Sequence, residues 1–205
     1  SGMKVLFLRQ RDEKANYADL LAEVRGSGKF ALDHAIGFGT SAWDSLLAET
    51  PQPTSVPIVL DDVTNIQYTS GTTGSPKGVL LTHRNLMNNG FVIARVLRYT
   101  EHDRICLAVP FAHCFGNVIG TMAALASGCA LILPNAAFDP RAVLEAVQAE
   151  RATAIYGVPT MFIAELRHHE FTSFNLTSLR TGVMAGAPCP VEIMKQVASD
   201  MHCRE

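Results

Sequence analysis

Tyr68-Thr69-Ser70-Gly71-Thr72-Thr73-Gly74-Ser75-Pro76-Lys77-Gly78 runs directly into the apolar stretch Val79-Leu80-Leu81. Between the strand read at Asn65 to Tyr68 and the one read at Val79 to Leu81 stand ten residues with three glycines, one proline, one lysine and five hydroxyls. That composition makes a loop. Glycines let the backbone turn through positive φ and bring N–H groups close to an anion, hydroxyls donate further hydrogen bonds, and a lysine adds a point charge. Together they suit a triphosphate, although an ordinary surface turn draws on the same residues. Spacing separates the loop from a P-loop, which needs Gly, four residues, then Gly-Lys-Ser/Thr opening a helix. Here Gly78 and a strand follow Lys77. The nearer decoy, Gly26-Ser27-Gly28-Lys29, lacks both the long spacing and a hydroxyl after its lysine, and reads as a turn.

Outward from the loop, short apolar runs alternate with amphipathic ones, the pattern of an α/β fold of mostly parallel sheets with crossover helices. Upstream, Val5 to Leu8 reads as a strand, Tyr17 to Val24 as a helix, Leu32 to Ile36 as an apolar run and Trp43 to Ala48 as a short helix. This βα segment spans residues 1–50. Pro51, Pro53 and Pro57 then stiffen a connector over 51–64 that cannot be helical. The core spans 65–205. In it Thr82 is placed to cap a helix running to about Arg98, followed by a strand from Ile105 to Val109. Phe115 to Ala126 reads as a helix stopped by Gly128, and Ala130 to Leu133 as a buried strand. Pro140 opens a helix whose Val143, Leu144 and Val147 share a face. Ala154 to Gly157, Pro159 to Leu166, Leu179 to Met184 and Pro190 to Ser199 continue the alternation.

The 205 residues are 48% hydrophobic, enough to bury a substantial core. With 17 basic and 19 acidic side chains the formal charge is −2 and no basic block stands ready for a polyanion, so a nucleic-acid partner is not expected. Five cysteines without CxxC spacing favour a reducing cytoplasm. From Ile105 to Phe138 no residue carries a formal charge, but Pro110, His113, Asn117, Gly128, Pro134 and Asn135 divide that stretch into pieces too short to span a membrane. His168 and His169 before Glu170 find no partner at metal-ligand spacing and read as solvated, so no metal ligand is assigned. Cys114 beside His113 suggests a thiol nucleophile, but sequence neighbours in a turn seldom face each other.

Tyr68 to Gly78, with Val79-Leu80-Leu81-Thr82-His83-Arg84-Asn85-Leu86 after it, resembles the phosphate-loop signature of the adenylate-forming superfamily. Acyl-CoA synthetases, aryl-CoA ligases, luciferases and peptide-synthetase adenylation domains belong to that superfamily. Two further segments resemble it in the right order. Pro110-Phe111-Ala112-His113-Cys114-Phe115-Gly116 looks like the second core motif, in which an aromatic or histidine lies beside the substrate carboxylate. An imidazole can donate a hydrogen bond to that group, although a histidine satisfied by a backbone carbonyl is the plainer reading of the residue alone. Tyr156-Gly157-Val158-Pro159-Thr160-Met161-Phe162 resembles the strand-to-helix junction lining the acyl pocket, and Ala185-Gly186-Ala187-Pro188 the turn on which adenine rests.

The resemblance implies a partial N-terminal domain of an acyl-CoA synthetase-like enzyme, with ATP, Mg²⁺ and coenzyme A as cofactors and a carboxylic acid as substrate. The acid would attack the α-phosphorus, releasing pyrophosphate, and a thiol would then displace AMP. His113 and Lys77 are the implied catalytic residues. Nucleotide contacts fall to Thr69, Ser70, Gly71, Thr72, Thr73, Gly74, Lys77 and Gly78, with Gly186, Ala187 and Pro188 at the adenine. A histidine where amino-acid enzymes carry an aspartate favours a plain acid, and Tyr156, Val158, Met161 and Phe162 suit a fatty or otherwise hydrophobic one. A carrier-protein thiol as acceptor and a non-catalytic nucleotide-binding or interaction module both stay open. The resemblance places further motifs and a small C-terminal domain beyond these residues, so the 205 residues alone are not expected to form acyl-AMP.

Overall fold

Three separate sheets account for the alternation of apolar and amphipathic runs. The structure, a computed structural model, describes residues 2–13, 15–28, 32–51, 55–69 and 74–205. It divides into two compact units, Ser1–Pro57 and Ile58–Glu205. The first unit is a small βαβα piece. Strand β1 (Val5–Leu8) lies parallel to β2 (His34–Gly37), helix α1 (Tyr17–Gly26) connects them, and α2 (Ser41–Ala48) follows. Asn16 and Thr40 cap the two helices with their side chains, and Trp43 packs edge-on against Phe38 at 4.9 Å.

The second unit opens with β3 (Val63–Thr69) and β4 (Lys77–Thr82), which pair antiparallel. This is the antiparallel pair in a set of otherwise parallel strand pairings among the named strands, in keeping with the mostly parallel arrangement expected. Helix α3 (His83–Val96) starts at Thr82, whose hydroxyl accepts from the Asn85 N–H while the Asn85 side chain accepts from the Thr82 N–H, a reciprocal capping box. The main sheet follows, with β5 (Arg104–Leu107), β6 (Ala130–Ile132), β7 (Ala154–Gly157) and β8 (Thr181–Met184) all parallel in the order β6-β5-β7-β8.

Both faces of this sheet are covered, which is why its strands read as continuous apolar runs. Ile105, Leu107, Ala154 and Tyr156 point to one core, against α3 and the helical segment after β5. Cys106 and Ile155 point to the other, with Val143, Leu144 and Val147 of α5 (Pro140–Glu150), Phe162 of α6 (Pro159–Leu166) and Val197 of α7 (Val191–Asp200). The segment after β5 differs from the α-helix expected over Phe115 to Ala126. Phe115–Met122 is a π-helix, and only Ala123–Ser127 (α4) is α-helical before Gly128 ends it in the left-handed region, φ 73°. An almost wholly apolar stretch carries no periodicity that could tell the wider turn from the narrower one.

The starts of the strands are tied together by one carboxylate. Asp103 is 6% exposed. It accepts from Thr100 N–H at 2.8 Å, Thr153 Oγ1 at 2.7 Å and Arg180 Nη2 at 3.0 Å. Arg180 in turn donates to the carbonyls of Leu97 and Arg98 beyond α3. Burial pushes the Asp103 carboxyl up, but the hydrogen bonds from Arg180, Thr153 and Thr100 outweigh it and hold the group below its ordinary 3.8. Asp103→Ala removes the buried partner of Arg180, leaving it Glu205 and the two carbonyls, and should lower stability by about 2–3 kcal/mol, read from the urea midpoint. In the wild type the charge-dependent part of this contribution is present above about pH 4 and lost as the pH falls through the depressed folded value.

Candidate functional site

Because β5, β7 and β8 are neighbours and parallel, the chain leaves all three at the same edge of the sheet. That carboxyl-terminal edge is where open α/β sheets bind ligands. The loop after β5 carries His113, the one after β7 carries Val158, and the one after β8 carries Gly186, Ala187 and Pro188. Contacts knit the three. The Phe115 ring lies 5.8 Å from the Tyr156 ring, and Ala185 N–H donates to the Gly157 carbonyl at 3.3 Å. Gly186 sits at φ 87° with Val158 so close that a Cβ there would meet its Cγ1 at 3.2 Å. Only glycine fits that turn comfortably. The turn's Gly186, Ala187 and Pro188 are exposed.

His113 is exposed and held by three hydrogen bonds. Its N–H donates to the Pro110 carbonyl at 3.2 Å, and its carbonyl accepts from Asn117 N–H at 3.0 Å. Its ring Nδ1 accepts from the Phe115 N–H at 3.1 Å. With Nδ1 accepting, the neutral ring carries its proton on Nε2 and presents a donor on its free side. Cys114 Sγ lies 3.7 Å from the same Nδ1, so the sequence neighbours do meet. The sulfur stands beside the nitrogen already taken by the Phe115 N–H, which does not leave His113 free to serve as its base.

The π-helix that carries this loop is fixed by close approach. A Cβ on Gly116 would meet the Pro110 carbonyl oxygen at 2.3 Å, and one on Gly90 of α3 would meet the Met122 carbonyl carbon at 2.6 Å. Thr121 Oγ1 donates to the Gly116 carbonyl at 3.0 Å. Beside Cys114 opens a concavity of about 680 Å³, lined by Leu81, Arg84, Asn85, Val92, Cys114 and Val118 among others. Sequence reading missed it. The available signal was the recurrence of Arg84, Asn85, Asn88 and Asn89 at helical spacing.

In the hairpin, Thr69 and Lys77 are register partners, and Gly78 faces Tyr68. Gly74 turns at φ 83°. Lys77 is exposed and makes no ion pair among the described residues. Ser70, Gly71, Thr72 and Thr73 lie outside the described residues. His113 and the Gly186 turn stand on loops that leave the same sheet edge, and no hydrogen bond or ion pair of the described residues joins Gly74 to Lys77 with those loops. The four apolar residues expected at an acyl pocket divide. Tyr156 (0% exposed) and Phe162 (1%) fill the two cores on opposite faces of the sheet, leaving Val158 and Met161 half-exposed. Tyr156 also accepts a hydrogen bond from Tyr99 at 3.1 Å, and burial drives the Tyr156 phenol up to about 12.

The sequence matches the AMP-binding enzyme family over residues 1–205. The chain belongs to that family. YngI of Bacillus subtilis (strain 168), which carries an acyl-CoA synthetase name, is 53% identical over 145 residues, 71% of this chain and 26% of its own length. The zebrafish (Danio rerio) medium-chain acyl-CoA ligase ACSF2, mitochondrial, is 38% identical over 188 residues, 91% of this chain and 30% of its own. Among solved structures, the anthranilate CoA ligase AuaEII in complex with anthranoyl-AMP superposes with a TM-score of 0.80 at 25% identity, covering 97% of this chain and 38% of that one. The chain thus spans between about a quarter and a third of the length of these curated relatives. Among the described residues no helix is long and apolar enough to cross a membrane.

Gly116→Ala forces the Pro110 carbonyl away and should destabilise the protein by about 1–3 kcal/mol, read from the urea midpoint. Gly26→Ala, with open space around its Cβ, serves as the control that leaves the midpoint unlowered.

Proposed function

We propose that the whole protein is an ATP-dependent acid–thiol ligase that adenylates a carboxylic acid and passes the acyl group to coenzyme A. The observation that supports this best is the exposed His113 ring, held at Nδ1 by the Phe115 N–H, on a loop that leaves the same sheet edge as the Gly186 turn. One acid oxygen attacks the α-phosphorus of ATP, the bond to pyrophosphate breaks, and acyl-AMP forms. A thiol then attacks the acyl carbon and AMP departs. His113 Nε2–H orients the acid and later the mixed anhydride by a hydrogen bond, and Lys77 with the loop hydroxyls Ser70, Thr72 and Thr73 meets the negative charge gathering on the departing pyrophosphate. Adenine rests on Gly186 to Pro188.

The loop from Thr69 to Gly78 contains no carboxylate. It offers hydroxyls and a lysine, which do not fit a tightly held Mg²⁺, so magnesium belongs with the substrate as MgATP and no side chain of this chain is assigned to it. Val158 and Met161, half-exposed beside the turn, suit a hydrophobic acyl chain, in keeping with fatty acid metabolism. Five free cysteines suit a cytoplasmic setting.

Acid-dependent exchange of pyrophosphate into ATP, measured on the whole protein, tests the reading. Lys77→Ala should cut the exchange rate by about 100-fold or more and His113→Ala should lower kcat/KM for the acid by at least about tenfold. Unchanged exchange in both variants would remove this function.

A further inference from the structure

Helix α6 carries a carboxyl group into the middle of an apolar core. Glu165 is 2% exposed, and its Oε2 has no hydrogen-bond partner among the described residues. The groups around it supply no compensating charge. The helices packed against α6, α5 and α7, turn Val143, Leu144, Val147 and Val197 into the apolar core of this face. The titratable groups that face Glu165 are two thiols, Cys106 from β5 and Cys203 from the segment leaving α7. Burial, and then the proximity of Glu165, pushes each thiol up to about 12. Arg180, the cation at the start of β8, is engaged by Asp103 and Glu205. His168, one turn on, has its Nδ1 taken by the Glu170 N–H and uses its own backbone N–H on the Glu165 carbonyl. An isolated carboxylate in such surroundings is costly, whereas the neutral acid is far less so.

The position of α6 gives this group a reach beyond the core. α6 begins at Pro159, directly after the Val158 junction, and packs against α7, which begins just after the Ala185 to Pro188 turn. A cavity of about 120 Å³ lined by Phe162 of α6, Met194 and Val197 of α7, Cys203 and others lies between these helices and the sheet. We infer that Glu165 is a proton-holding switch, neutral while α6 and α7 are packed, whose ionisation loosens that packing beneath two of the loops of the sheet edge. The inference stands on the fold alone and does not depend on the ligase reading.

The sign follows from burial. Desolvation raises the Glu165 carboxyl from 4.5 to about 8. Between those values the folded chain holds a proton that the unfolded chain has released. This group's contribution is therefore complete below about pH 4.5, declines roughly tenfold in the folding equilibrium per pH unit above it, and is gone beyond about pH 8. The test is the urea-midpoint profile of the full chain from pH 5.5 to 8.5 for wild type and Glu165→Gln, with infrared titration of the wild type alone. Across that range the wild-type folding equilibrium should fall at least tenfold more than that of Glu165→Gln, and a carboxylic-acid carbonyl band should persist at pH 7 and vanish above about pH 8. Parallel profiles would overturn the inference. If Glu165→Gln fails to fold, the infrared titration decides alone, and the absence of a protonated carboxyl at pH 7 overturns it equally.

Discussion

The carboxylate of Asp103 fixes the geometry on which everything at the other end of the sheet depends. Its side chain gathers donors from Thr153, at the start of β7, and Arg180, at the start of β8, while its backbone carbonyl accepts from Ala130 N–H at the start of β6. Asp103 itself stands directly before β5. All four parallel strands are thus tied at their beginnings by one residue and its partners. Strands of similar length that begin together end together, so the loops after β5, β7 and β8 come out side by side. A buried charge pair is uncertain as a source of net stability but demanding of geometry. Here that demand sets the strand starts, and the site inherits the result.

At the opposite edge, hydrocarbon gives way to close backbone contact. Gly116 lies against the Pro110 carbonyl and Gly186 against Val158, and beneath them Gly90 of α3 lies against Met122. These approaches leave no room for side chains and draw the loops together tightly enough to hold the His113 ring by the amide two residues on. The π-helix is part of the same device, since its wide turn is accommodated only because glycines stand where it meets its neighbours. Close backbone packing thus holds the exposed imidazole in place at the sheet edge.

Much of this was legible in the letters. Pro140 followed by Val143, Leu144 and Val147 announced a helix and its buried face, Thr82 announced a cap, and Gly128 a left-handed stop. Each signal is local, a matter of one residue's backbone preference or one helical repeat. What stayed hidden depends on partners far apart in sequence. The antiparallel pairing of β3 and β4 could not be told from a parallel one by two short apolar runs, and Phe115 to Met122 had no polar residue spaced to reveal its wider turn. The pairing of Asp103 with Arg180 left no local signal because 77 residues separate them. Tyr156 and Phe162 looked like pocket lining because nothing in the sequence says which face of the sheet each one meets. Of the site, the turn glycine and the histidine could be named from the motif, whereas the amide that sets the histidine's tautomer could not.

The central claim is that the edge holding His113 and the Gly186 turn receives the acyl and adenine ends of one adenylate. A crystal structure of the whole protein with a non-hydrolysable acyl-adenylate mimic measures it directly. The account predicts His113 Nε2 within about 3.2 Å of the acyl-carbonyl or linker oxygen, with the adenine ring lying on Gly186 to Pro188. A mimic bound away from that edge, or a His113 ring turned from the ligand, would contradict it.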